Sequence, residues 1–160
     1  MNIRKATNDD LDIVTNIEST CFPPAEAAPC EAFKERLAHY ADHFLIIFDG
    51  DTPIGFIDGF VTDDEILTDE MFADASMHNP DGAWQMIFGL NTMPAYRNRG
   101  VGGQLIEAFI ELAKEENRKG VILTCKEEKI HYYAKFGFVN EGESESDHGG
   151  AKWYQMRVVF

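Results

Sequence analysis

A short apolar run, a glycine-rich turn and an amphipathic segment follow one another between Trp84 and Arg118. No other stretch limits the fold as much. Met86, Ile87, Phe88 and Leu90 read as a buried strand, because the run is short, aromatic-rich and stopped by Pro94. The turn is Tyr96-Arg97-Asn98-Arg99-Gly100-Val101-Gly102-Gly103. Val101, Leu105, Phe109 and Leu112 then recur at helical spacing, with Glu107 and Glu111 placed to face water. Lys114, Arg118 and Lys119 sit toward the negative end of that helix, and Gly120 is a good stop.

A strand, a glycine turn and a helix N-terminus together make an anion cradle. Glycines let backbone N–H groups converge without Cβ obstruction, and the helix dipole favours negative charge there. A phosphate-binding loop for nucleotide hydrolysis needs G-x-x-x-x-G-K-[ST], and no Lys-Ser or Lys-Thr follows these glycines. A dinucleotide fold wants G-x-G-x-x-G in its first strand–helix turn. Here the motif lies past mid-chain, and Leu105 holds the third glycine's place. What remains is Arg97-x-x-Gly100-x-Gly102. It resembles the R/Q-x-x-G-x-G/A pyrophosphate loop of the GNAT superfamily of acyl-CoA-dependent N-acetyltransferases.

At 160 residues the chain suits one domain, expected to span 1–160. No apolar run approaches the length of a membrane span, and Met1 to Lys5 lead straight into a folded-looking segment. Three cysteines, Cys21, Cys30 and Cys125, lack metal spacing and are odd in number, which favours a reducing compartment. The expectation is a cytoplasmic protein without metal or membrane partner. A net charge of -14 argues against nucleic acid, whose phosphates would be repelled. It suits a cationic amine acceptor. An anionic cofactor would have to be held by the locally basic turn at Arg97 and Arg99. A homodimer is compatible with the sequence.

Taken in order, Asn2 to Ala6 form a short strand, and Thr7 caps the next helix with Asp10 completing a capping box. Leu11, Val14, Ile17 and Cys21 give that helix its buried stripe, with Glu18 on or beside it. Pro23 to Pro29 is a loop, followed by a helix over about 31–40. Phe44–Phe48 and Pro53–Val61 read as a hairpin across Asp49-Gly50-Asp51. Thr62 to Gly82 is acidic and poorly periodic, which predicts a solvated loop with a helical turn near 69–75. Val121–Cys125 is a buried strand, Glu127–Lys135 a short helix, Phe136–Val139 starts the next strand, Asp147–Gly150 is a turn, and Trp153–Phe160 is the last strand. The order is β-α-α-β-β-β-α-β-α-β-β. That implies an α/β fold with a mixed, mostly antiparallel central sheet and helices on both faces, as the resemblance also implies.

Further blocks narrow the resemblance. Asp58-Gly59-Phe60-Val61, His78-x-Pro80-x-Gly82, Leu90 to Gly102, Leu123-Thr124-Cys125-Lys126 and Tyr132-Tyr133-x-x-Phe136-Gly137-Phe138 look like the arylalkylamine N-acetyltransferase branch. The tail from Ser144 through His148-Gly149-Gly150 to Tyr154 looks like its bacterial members. The resemblance implies acetyl-CoA as co-substrate. Its contacts would be Leu90, Asn91, Thr92, Arg97, Asn98, Arg99, Gly100, Val101, Gly102, Gly103, Lys126 and Tyr132. In vertebrate members the central strand carries two histidines that move the amine's proton to solvent. Those places hold Met86 and Phe88 here, and neither can relay a proton.

The chemistry needs a neutral amine, a stabilised oxyanion and a protonated leaving thiolate. Backbone N–H groups from Leu90 to Thr92 would meet the oxyanion. Tyr133, four residues before Gly137, matches the superfamily's usual general acid. For the base, Glu26 matches the loop acid proposed in insect relatives, followed by His148 and then Glu18. Cys125 reads as a packed thiol rather than an acyl carrier, and His78 as a turn-shaping residue. The expected activity is acetyl transfer to a small primary amine, with an arylalkylamine as the implied acceptor. A peptide N-terminus or lysine acceptor, or a non-catalytic acyl-CoA sensor, are the alternatives.

Overall fold

The computed structural model describes residues 1–160. They group into two compact units, Met1–Gly59 with Gly89–Phe109, and Phe60–Phe88 with Ile110–Phe160.

The first unit is built on an antiparallel sheet in the order β1 (Asn2–Lys5), β2 (Phe44–Asp49), β3 (Thr52–Asp58), β6 (Gly89–Thr92). The hairpin between β2 and β3 turns at Gly50, whose φ is 59°. Thr7 opens a short 3₁₀ turn with the expected capping box, and Arg4 grips Asp10 through two 2.8 Å hydrogen bonds. Helix α1 (Leu11–Cys21) follows, then α2 (Cys30–Tyr40). Val14 and Ile17 of α1 and Phe33 of α2 are fully buried.

Alternation along the strands assigns the two faces of this sheet. Phe56 and Asn91 are cross-strand partners and so share a face. Phe33 of α2 meets Phe56 edge-on at 5.7 Å, and Glu18 of α1 bonds the Asn91 side chain. Gly55 points the other way, and a Cβ there would lie 3.4 Å from Leu105 of α4 (Val101–Glu115). Helices therefore cover both faces, as the sequence pattern implies. Val101, Leu105 and Phe109 of the stripe expected on α4 are buried, Ile106 joins them, and Leu112 is only half-buried.

The second unit carries a five-stranded sheet in the order β4 (Val61–Thr62), β5 (Trp84–Met86), β7 (Gly120–Cys125), β9 (Tyr154–Val159), β8 (Val139–Glu143). Strands β5 and β7 run parallel and every other pair is antiparallel. Two short helices, α3 (Asp69–Ala73) and α5 (Ile130–Ala134), complete it.

Two strands that read as continuous in the sequence are each divided. Pro53–Val61 breaks at Gly59-Phe60, and Met86–Leu90 breaks at Ile87-Phe88. The cause is a change of partners. Asp58 and Gly89 form the last rung of the β3–β6 ladder. Beyond it, the Phe60 carbonyl accepts from Met86 N–H at 2.9 Å and from Gln85 Nε2 at 3.2 Å. The Phe60 and Phe88 rings pack edge-on at 4.8 Å.

The acidic stretch 62–82 is more than a solvated loop. Leu67 and Met71 are buried, the Leu67 N–H donates to Gln155 Oε1 at 2.9 Å, and Arg157 Nη2 donates to the Glu65 carbonyl at 2.6 Å. Charged side chains line its outside while two apolar ones anchor it.

At Gly55 a Cβ would stand 2.5 Å from the Asn91 carbonyl oxygen, closer than real Cβ atoms approach. Gly55→Val is expected to lower unfolding free energy by about 1–3 kcal/mol, read as a lower urea midpoint.

Candidate active site

Strand β6 is hydrogen-bonded on one side only, since it ends its sheet. The Met93 N–H donates to the Ile54 carbonyl at 2.8 Å, which sets the phase of the ladder. In an antiparallel pair successive residues turn their polar groups alternately toward and away from the partner. Asn91 and Gly89 therefore bond to β3, opposite Phe56 and Asp58. Leu90 and Thr92 turn their N–H and C=O groups to the open edge. The Thr92 carbonyl is taken by Arg97 Nε at 3.2 Å and Cys21 Sγ at 3.4 Å. The sequence treats Leu90, Asn91 and Thr92 alike; the pairing separates them.

Past β6 the chain makes a 3₁₀ turn over Pro94–Tyr96 and enters the glycine turn. Asn98 and Gly100 adopt positive φ, 63° and 78°, so the backbone curls before α4 starts at Val101. The first helical bond runs from Gln104 N–H to the Gly100 carbonyl at 3.1 Å. The amides of Val101, Gly102 and Gly103 therefore have no carbonyl one turn back to bond. Arg97, Asn98 and Arg99 are exposed around them. The Arg99 guanidinium lies 5.4 Å over the Tyr96 ring, and Tyr96 donates its hydroxyl proton to Asp49 at 3.1 Å, tying the turn to the β2–β3 hairpin. Three amides at a helix N-terminus, two arginines and a positive dipole end suit a diphosphate.

In the second unit, α5 places Tyr133 against Tyr132 at 5.2 Å and Phe138 at 6.1 Å. Burial, the nearby Cys125 and Tyr132 push the Tyr133 phenol well above its ordinary value, so it keeps its proton throughout the physiological range. Burial likewise pushes the Cys125 thiol up to about 11, and its Sγ rests 3.6 Å from Met156 Sδ. A thiol so rarely ionised is a poor acyl carrier. Lys126 sits 5.8 Å over the Trp153 ring, and the indole N–H donates to the His148 carbonyl at 2.9 Å. The His148 ring packs near the same indole at 6.1 Å and is exposed. His78 Nδ1 accepts the Val61 N–H at 3.1 Å, which fits the turn-shaping role read from the sequence. Met86 is fully buried. Phe88 is half-buried, and beyond its contact with Phe60 it lies 4.8 Å from Phe72 of α3. No group of three or more His, Cys, Asp or Glu is placed to hold a metal ion.

The carboxylate candidates differ sharply in setting. Glu26 lies in the turn after α1, exposed, with its amide bonded to the Pro23 carbonyl at 2.9 Å. Glu18 is only 9% exposed, and both its oxygens are engaged. Oε2 accepts the Ala28 N–H at 2.9 Å and Oε1 accepts Asn91 Nδ2 at 2.6 Å. One side chain thus ties the loop before α2 to strand β6. A residue that sequence reading left inside a motif block also emerges: Asp58 is fully buried, between Tyr40 and Arg36 of α2. Only the four-residue spacing of those two, which puts them on one helix face, could have hinted at it. Removing the Glu18 carboxylate strands two donors, so Glu18→Ala is expected to lower stability by about 1–3 kcal/mol in urea melts. The exposed Glu26→Ala should stay within about 0.5 kcal/mol of the parent.

Comparison with known proteins accords with this geometry. The chain is 29% identical over 146 residues to the probable hydrolase YhcX of Bacillus subtilis, covering 84% of this chain but 28% of that protein, so it spans little more than a quarter of that relative's length. It is 25% identical over 140 residues to serotonin N-acetyltransferase of Mesocricetus auratus, covering 84% of this chain and 66% of that one. Among solved structures, the GphF GNAT-like decarboxylase in complex with isobutyryl-CoA shares the fold at a TM-score of 0.85 and 17% identity, covering 99% of both chains. The model of the acetyltransferase (GNAT) family matches residues 11–138, and the chain belongs to that family.

Proposed function

We propose that the protein is an acetyl-CoA-dependent N-acetyltransferase that acts on a small primary amine, with an arylalkylamine as its preferred acceptor. The observation that carries this reading is the open edge of β6 followed, after the turn through residues 94–100, by the unbonded amides of the α4 N-terminus. An extended amide-bearing arm can pair with such an edge as a further strand would. The diphosphate at its end then reaches Val101, Gly102 and Gly103, with Arg97 and Arg99 supplying charge. Acetyl-CoA has both parts. Lys126 and Tyr132 are further contacts in this reading, and residues 1–160 act as one acyltransferase domain.

The acceptor's class rests on charge and on aromatic surface. A chain of net charge -14 draws cations and repels anions. Phe60, Phe72 and Phe88 form a contiguous aromatic set of which Phe72 and Phe88 are half-exposed. An aromatic ring on the acceptor finds favourable edge or offset contacts there. Likeness to a serotonin N-acetyltransferase points the same way.

In the reaction, the neutral amine attacks the thioester carbon and negative charge grows on the thioester oxygen. The outward Leu90 N–H is the donor assigned to it. Tyr133 gives its proton to the departing thiolate. A phenol held neutral by burial is always loaded for that step.

The test is acetyl-CoA turnover against tryptamine, phenethylamine, polyamines and short peptides. Tryptamine and phenethylamine are expected to release CoA fastest; preference for peptides would redirect the reading to protein acetylation, and release with none would favour a sensor. Tyr133→Phe should lower kcat by about 100-fold or more while CoA affinity by calorimetry stays within about twofold.

A further inference from the structure

Asp58 closes the β3–β6 ladder opposite Gly89, and its side chain is 0% exposed. Its two oxygens are treated unequally. Oδ2 accepts the Tyr40 hydroxyl at 2.8 Å and Arg36 Nη1 at 3.3 Å. Oδ1 accepts no hydrogen bond. A carboxylate serving only as counter-ion to arginine would be expected to take the guanidinium fork with both oxygens. Here the one ion-pair contact is single and long, and a whole acceptor oxygen is left over. Such an oxygen is costly to leave unmade.

The free oxygen faces the end of the reactive strand. Oδ1 is itself covered, and a Cβ on Gly89 would stand 2.6 Å from it, so a residue other than glycine would seal it further. The Cα atoms of Asp58 and Gly89 are partners in a hydrogen-bonded pair, about 5.5 Å apart. Leu90, whose N–H is assigned to the thioester oxygen, is the next residue. Gly59 follows Asp58 just past the end of β3, and Gly89 faces it across the ladder.

Resting on the N-acetyltransfer reading, we propose that Asp58 is the group that takes the acceptor ammonium's proton, in place of Glu26, His148 and Glu18, with the amine nitrogen seated at Gly89 when the cover over Oδ1 opens. Oδ1 takes one proton and leaves a neutral amine. The nitrogen lone pair forms the new C–N bond and the C–S bond breaks. The thiolate sulfur takes a proton from Tyr133, which regains one from solvent; the nitrogen's second proton and the one on Asp58 leave to solvent.

Asp58 is set for this by its neighbours. Burial raises its pKa above the usual carboxylate range, and the negative Glu18 on α1 adds to that. Arg36 and Tyr40 on α2 oppose the rise by charge and hydrogen bond. The partners on β2 and β6, Phe44 and Gly89, do not titrate. An aspartate whose pKa is raised accepts a proton more readily and must be ionised to act, so kcat/KM falls as pH drops through its pKa.

The experiment compares pH profiles of kcat/KM for the wild type, Tyr40→Phe and Asp58→Asn, each with CoA affinity measured by calorimetry. Loss of the Tyr40 donor raises the Asp58 pKa, so the acid limb of Tyr40→Phe should move up by about 0.5–1 unit. Asp58→Asn should lower kcat/KM about 100-fold or more and erase that limb, with CoA affinity retained. Should Asp58→Asn fail to fold, because Arg36 loses its counter-charge, the Tyr40→Phe limb still decides. A wild type that turns over amines while Tyr40→Phe leaves the limb in place overturns the role of Asp58 alone. A wild type that acetylates no amine removes the N-acetyltransfer reading, and this role with it.

Discussion

Everything in the first unit depends on strand β6 being paired along one edge. Bonding to β3 holds Gly89 and Asn91 in register, and the same alternation presents Leu90 and Thr92 outward. An exposed strand edge is normally an aggregation hazard that proteins blunt. This one is only four residues long and, one residue beyond its end, meets Pro94, which cannot extend a ladder. Shortness keeps the edge from recruiting another chain while leaving room for a ligand's amides.

The charge balance is reconciled locally. A chain of net charge -14 is a poor host for a polyanion at long range. Screening limits that repulsion to about 8 Å at physiological salt, whereas hydrogen bonds from amides act at contact. The turn concentrates Arg97, Arg99 and the positive end of α4 within a few residues. Long-range acidity and short-range basicity can then serve different substrates, a cation drawn from solution and an anion gripped on arrival.

How much of this could be read from the residues depended on the range of the interactions. The Thr7–Asp10 capping box and the α4 stripe were predictable because their partners lie within a turn or two. The division of two strands was not, since it arises from Phe60 meeting Met86 and Gln85, and Phe88 meeting Phe72. No local propensity encodes a change of partner. Glu18 is recognisable in the sequence as a carboxylate on or beside an apolar stripe, but its bonds to Ala28 and Asn91 span the loop and the sheet. Asp58 looked like any polar residue ending a strand. Its partners Arg36 and Tyr40 are 22 and 18 residues away, and only folding brings them together.

The most direct test follows the backbone amides of isotope-labelled protein by NMR as CoA is added. The account predicts large shifts at Leu90, Thr92, Val101, Gly102 and Gly103, with the ladder-bonded amides of Phe56 and Asn91 nearly still. Shifts confined to other surfaces, or none at millimolar CoA, would contradict it.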